Sequence, residues 1–178
     1  MRRTRLDRTV AELRKRDIGG VLLFDPLNIR YASDSSNMHL WIAHNPSRAV
    51  FVSADGYMVL WDYKRCEHLS AHLPLIREIR SGAGMFYFVA GDKEDEIAAS
   101  FAAEIDDLMC VHAGRNRRIA VDKMELHGAF ALQAMGLEIC SGQEVMEHAR
   151  LIKSEDEINA MRCAIAAGGT SSVSHVMM

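Results

Sequence analysis

Cys66, Glu67, His68 and His72 fall within a short stretch of the 178-residue chain. Residues four apart share a helix face, so His68 and His72 with a neighbouring Cys66 or Glu67 would make half of a zinc site. The order is not HExxH, because Glu67 precedes the first histidine, and no second cluster at ligand spacing follows. A solvated helix face accounts for the same residues. Gly82-Ala83-Gly84 resembles the start of a dinucleotide loop, but Tyr87 stands at the third glycine position and no helix clearly follows, so a phosphate cradle is rejected. Asp106 and Asp107 are neighbours on a predicted helix and point to different faces, which makes them poor partners for acid–base work. There is no GxSxG elbow and no P-loop.

One stretch is unusual. Residues 28–48 carry Tyr31, Asp34, Met38, His39, Trp41, His44 and Arg48 between two strand-like runs. A loop of about twenty residues inside a compact domain is uncommon and often functional. Aromatic rings, a carboxylate and imidazoles are what a small polar or cationic ligand would meet in a pocket. Tyr31, Asp34, Trp41 and His44 are the candidate binding residues. The other reading is that Trp41 and Ile42 plug the domain's own core and the polar groups are solvated.

The elements that must position this loop follow from periodicity. Leu6, Val10 and Leu13 mark an amphipathic helix over 4–16. "VLLF" at 21–24 reads as a strand buried on both faces. "AVFVS" and "YMVLW" flank Ala54-Asp55-Gly56, a hairpin signal. "EHLSAHL" reads as a short helix and "LIREI" at 75–79 as a strand, while "GAGMFYFVAG" stays undecided between strand and loop. Ile97, Phe101, Ile105 and Leu108 line a helix over 92–112 with an acid-rich first turn, where the helix dipole favours carboxylates. Then "RIAVD", "ELHGAFALQAM", "LEIC" and "QEVMEHARLI" alternate strand and helix. Ser154 and Glu157 form a capping box, and Ile158, Met161 and Ile165 give the helix that follows one apolar face. The alternation predicts an α/β sandwich with parallel pairs, and the hairpin adds antiparallel ones, so the sheet should be mixed.

Bulk composition excludes several classes. The chain is 49% apolar and 25% charged, as expected of a globular domain with a real core. Lys and Arg number 21 against 24 Asp and Glu, and the net charge of −3 offers no pull toward nucleic acid or an anionic membrane. The basic start "MRRTRLDR" has no apolar run behind it and is not a secretory signal, so a cytoplasmic setting is expected. Cys66, Cys110, Cys140 and Cys163 form no CxxC pair and read as reduced.

Several pieces together resemble the N-terminal domain of the creatinase/aminopeptidase P/prolidase group, the pita-bread metallohydrolases. "VLLFDPLNIRYASD" is similar to that domain's first strand and following loop, and "RIAVDKMELHGAFALQAM" to a later strand and helix. "EVMEHARLIKSEDEINAMRCAIAA" resembles the junction into the catalytic domain. The resemblance implies a three-layer α/β sandwich, a mixed sheet of about six strands with helices on both faces. It implies residues 1–150 as the N-terminal domain, and 151–178 as the junction and first helix of a C-terminal pita-bread domain missing from this chain. It places two divalent metal ions (Mn, Co, Fe or Zn) in that other domain, leaving no catalytic residue and no metal ligand here. It implies a homodimer in which the 28–48 loop reaches the partner subunit's pocket, with a dipeptide or other small molecule as substrate. Asp34 stands where the peptidase branch carries a glycine, and the loop is more similar to the branch of dimethylsulfoniopropionate lyases. Two other readings are a free-standing α/β binding or dimerisation module and a small metalloenzyme built on His68 and His72. After Ala167, Gly168-Gly169 and a polar run should break the last helix.

Overall fold

The computed structural model describes residues 1–37 and 43–176, with the side chains of 169–176 left aside. Met38, His39, Trp41 and Ile42 of the predicted loop therefore lie outside the described residues.

Val21, Leu22 and Leu23 are all fully buried. Successive strand side chains point to opposite faces, and here Val21 and Leu23 enter one apolar cluster while Leu22 and Phe24 enter another. They belong to β1 (Gly20–Leu23), which pairs antiparallel with β2 (Ala49–Ser53) and parallel with β5 (Arg118–Val121). β2 turns at Ala54-Asp55-Gly56 into β3 (Met58–Asp62), as the Asp-Gly signal predicts. β3 pairs parallel with β4 (Glu78–Ser81), and β5 parallel with β6 (Glu138–Ser141). The result is one mixed six-stranded sheet, ordered β4-β3-β2-β1-β5-β6.

Helices cover both faces. α1 (Arg2–Lys15) and α2 (Pro26–Ser33) pack with α6 (Gly142–Leu151) over Val21, Val50, Val52 and Leu60. On the other side α4 (Glu94–His112) and α5 (Leu126–Ala134) cover Leu22, Phe51, Val59 and Trp61 through Phe101, Ile105, Met109 and Leu132. Gly20 permits this thickness, since a Cβ there would sit 2.6 Å from the Phe51 ring. The three-layer sandwich and the mixed sheet match the expectation. A short α3 (Tyr87–Ala90) precedes α4, and α7 (Glu155–Val176) follows α6.

Four local expectations change. The first turns of the 28–48 stretch are helical, because Asp25 accepts amide hydrogen bonds from Leu27 and Asn28 and Pro26 opens α2 at a position that needs no N–H donor. Of "EHLSAHL" only Glu67–Leu69 forms a turn of 3-10 helix. Ser70 is drawn inward there to hydrogen-bond Asp62, so His68 and His72 do not share a helix face. β4 starts three residues later than "LIREI" suggests, since Leu75 and Ile76 pack against the core before the strand begins. α7 runs through Gly168-Gly169 to Val176 instead of ending there. A Cβ at Gly168 would meet nothing within 4 Å, so the glycine lowers helix propensity without marking an end.

Candidate functional site

The loop between α2 and β2 is gripped at both ends. Arg48 and Asp62 are each fully buried and face one another across the β2–β3 hairpin. Arg48 Nε donates to Asp62 Oδ1 at 2.8 Å, and Nη2 to Oδ2 at 3.3 Å. The same guanidinium reaches the loop, donating to the Asn37 carbonyl at 3.1 Å and to the Ser35 hydroxyl. Asn37 Nδ2 and Ser70 Oγ donate back to Asp62, and the Tyr63 amide completes its ring of donors at 2.8 Å. A buried charge pair survives only when paired and fully hydrogen-bonded. Here that requirement fixes where the loop leaves α2 and where it enters β2.

A second anchor lies at the carboxyl ends of the parallel pair β1–β5. Asp122 accepts from the Phe24 amide at 2.7 Å, the Asp25 amide at 3.2 Å and Asn28 Nδ2 at 2.9 Å. Burial holds its carboxyl above the usual carboxylate range, against the pull of these donors. Asn28 also reaches Gln143 at 3.4 Å, and Lys123 donates to the Ala43 carbonyl at 2.8 Å. Gly142 lets α6 start against β5, since a Cβ there would lie 2.5 Å from the backbone at Val121 and Asp122.

The four candidate residues fare differently. Tyr31 is 8% exposed and donates its hydroxyl to the Ala149 carbonyl at 2.8 Å. Burial raises its pKa, and the Arg5 guanidinium lies 5.1 Å from its ring. Asp34 ends α2 in the left-handed region at φ 67° and pairs with Arg2 at 2.5 Å. Both therefore sit where α2 meets α1, with Tyr31 reaching on to α6. His44 is exposed at the far end of the loop, beside the Ala43 carbonyl that Lys123 holds. No hydrogen bond or ion pair joins His44 to Tyr31 or Asp34 among the described residues, and Trp41 lies outside them.

The capping box forms in both directions. The Glu157 amide donates to Ser154 Oγ at 3.3 Å, and the Ser154 amide donates to Glu157 Oε2 at 2.9 Å. The same Glu157 carboxylate, 9% exposed, receives Arg5 at 2.8 Å and Arg8 at 3.0 Å from α1. Burial opposes its charge, yet the Ser154 amide and Arg5 hold its pKa down to about 2. α7 is thus fastened to the domain at its first turn, while Ile158, Met161 and Ile165 beyond it are 41%, 53% and 72% exposed.

Sequence reasoning missed the Arg48–Asp62 pair, the Asn28–Asp122 anchor and the arginines on Glu157. No group of three possible metal ligands occurs among the described residues. No helix among them is long and apolar enough to cross a membrane.

The described residues form a three-layer α/β domain whose buried polar groups position one loop and the start of α7. The chain belongs to the creatinase/prolidase N-terminal domain family, whose model matches residues 5–163. It is 56% identical over 171 residues to the dimethylsulfoniopropionate lyase DddP of Roseovarius nubinhibens, covering 96% of this chain and 38% of that protein. It is 56% identical over 164 residues to DddP of Roseobacter denitrificans, covering 92% of this chain and 37% of that one. The chain thus spans under two-fifths of the length of these curated relatives. Among solved structures it resembles an Xaa-Pro dipeptidase from Bacillus anthracis, with TM-score 0.62 and 16% identity, covering 89% of this chain and 38% of the other. It also resembles the N-terminal domain of cytoplasmic peptidase PepQ from Mycobacterium tuberculosis H37Rv, with TM-score 0.56, 18% identity and coverage of 82% and 98%. These structural likenesses concern the fold.

Proposed function

We propose that the chain is the N-terminal domain of a cytoplasmic pita-bread enzyme of the lyase branch, acting on dimethylsulfoniopropionate or a close analogue. The observation that carries this reading is 56% identity to two dimethylsulfoniopropionate lyases over nearly the whole chain, against 16–18% to the two peptidases of the same fold. In this reading residues 1–150 are the folded domain, and 151–178 lead into a catalytic domain that holds two divalent metal ions of the Mn, Co, Fe or Zn kind. The enzyme works as a homodimer. The loop that Arg48 and Asp62 hold at its base presents Trp41 and His44 to the substrate pocket of the partner subunit, and Tyr31 and Asp34 orient its root.

The test uses a protein of the relatives' full length carrying this domain, supplied with each metal in turn. Dimethylsulfoniopropionate should be consumed and Xaa-Pro dipeptides left intact, and the present chain alone should act on neither. Trp41→Ala should cut turnover at least about tenfold with little loss of domain stability. A collapse of folding, the outcome for a truncated core aromatic at about 3–5 kcal/mol, would make Trp41 a core residue and remove the loop from the reaction. Turnover of a dipeptide instead would move the protein to the peptidase branch, and a monomer by light scattering would end the shared-pocket reading.

A further inference from the structure

β3 and β4 run parallel, and both finish at the mouth of a cleft of about 310 Å³. Crevices beyond the carboxyl ends of parallel strands are where open α/β sheets seat small ligands. Asp62 borders the cleft from the end of β3 and Lys64 from just beyond it, Gly82 from just beyond β4, Ser47 from the entry to β2, and Val89 and Ile97 from α3 and α4. Gly82 sits in the left-handed region at φ +92°, and a Cβ there would meet nothing within 4 Å, so the mouth carries bare backbone.

Three features of this lining point the same way. Ser47 is 3% exposed, and its hydroxyl has no hydrogen-bond partner among the described residues. A buried hydroxyl left without a partner costs stability, and Ser47 is among the residues that line this cleft. Asp62 contributes no free negative charge, because Arg48, Asn37, Ser70 and the Tyr63 amide occupy its oxygens. Lys64 is exposed at the rim and forms no ion pair among the described residues. Besides Tyr63 and Ser81, what remains is an apolar wall, one unsatisfied hydroxyl and one unpaired ammonium.

We propose that this cleft binds a small aliphatic carboxylate, its chain against Val89 and Ile97 and its head group received by the Ser47 hydroxyl and the Lys64 ammonium. The site takes Ser47 from the end of the loop, where it enters β2, and does not depend on the enzyme reading given above, since it uses only residues of this chain. Charge complementarity selects the anion over the alcohol or amine of the same chain length, and a charge-assisted hydrogen bond is about twice as strong as a neutral one.

Calorimetric titration of the present chain with hexanoate, hexan-1-ol and hexylamine tests this. Hexanoate should bind with a Kd of about a millimolar or tighter, hexan-1-ol about tenfold more weakly, and hexylammonium not at all. Lys64→Met, at an exposed position, should remove the preference for hexanoate over hexan-1-ol. Ser47→Ala should weaken hexanoate about fivefold while leaving the Tm unchanged or raised, because it deletes an unsatisfied group. Equal affinity for acid and alcohol, binding of the amine, no binding of hexanoate, or unchanged hexanoate affinity in both variants would each overturn the proposal.

Discussion

Asp62 and Glu157 are both buried carboxylates held by arginine, but they answer to different partners. Asp62 is fully buried with Arg48. Arg48→Met would strand the carboxylate, and one-sided loss of a buried pair costs about 3–5 kcal/mol. The double replacement Arg48→Met/Asp62→Leu should recover most of that, as urea denaturation of the three proteins would read. Glu157 has a folded pKa of about 2 against an ordinary 4.5. A depressed carboxylate contributes stability that is fully present above the unfolded value and is lost as pH falls from about 4.5 toward 2. The shift sets an upper limit of about 3 kcal/mol. Glu157→Gln should therefore lower stability at pH 7 and flatten its fall between pH 5 and 2, followed by denaturation at a series of pH values. The Asp62 partnership was within reach of the sequence. The Asp-Gly turn sets the hairpin register, Ala49 pairs with Trp61, and one step outward brings Arg48 opposite Asp62. The arginines on Glu157 were out of reach, because a contact between residues 5 and 157 has no local signal.

At the scale of elements, periodicity found the helices whose apolar faces meet the sheet, and failed where a side-chain contact overrode the pattern. α2 has few apolar residues at helical spacing, and its start signal is carried by the cap Asp25 with Pro26 instead. "EHLSAHL" kept a helical spacing that the pull of Asp62 on Ser70 defeats. α6 depends on its first residue. Gly142→Ala would drive a methyl group into the backbone of β5 at Val121 and Asp122, 2.5 Å away. Backbone cannot yield as a side chain does, so a loss of about 1–3 kcal/mol is expected, read as a lower midpoint in chemical denaturation. Gly168 is the opposite case. Gly168→Ala meets open space and supplies about 1 kcal/mol of helix propensity, so circular dichroism should gain helical signal with no change in the melting of the sheet.

The whole molecule is a sandwich closed on both faces whose last helix is closed on neither. α7 is tied at Ser154 and Glu157 and then carries Ile158, Met161 and Ile165 into solvent. The sequence showed that face clearly, since spacing at i, i+3 and i+7 is a local property. What should cover the face is a property of the assembly, and the chain spans only 38% of its relative from Roseovarius nubinhibens. If α7 opens a second domain, its apolar stripe becomes core once that domain is present. Ile165→Ser should then leave the stability of the present chain within about 0.5 kcal/mol, as for other surface changes. In a protein of the relatives' full length the same substitution should cost about 2 kcal/mol or more, the loss of a buried aliphatic side chain. Denaturation midpoints of the two proteins, each with and without the substitution, decide it. Equal small effects in both would mean that α7 stays solvated and that the domain boundary lies elsewhere.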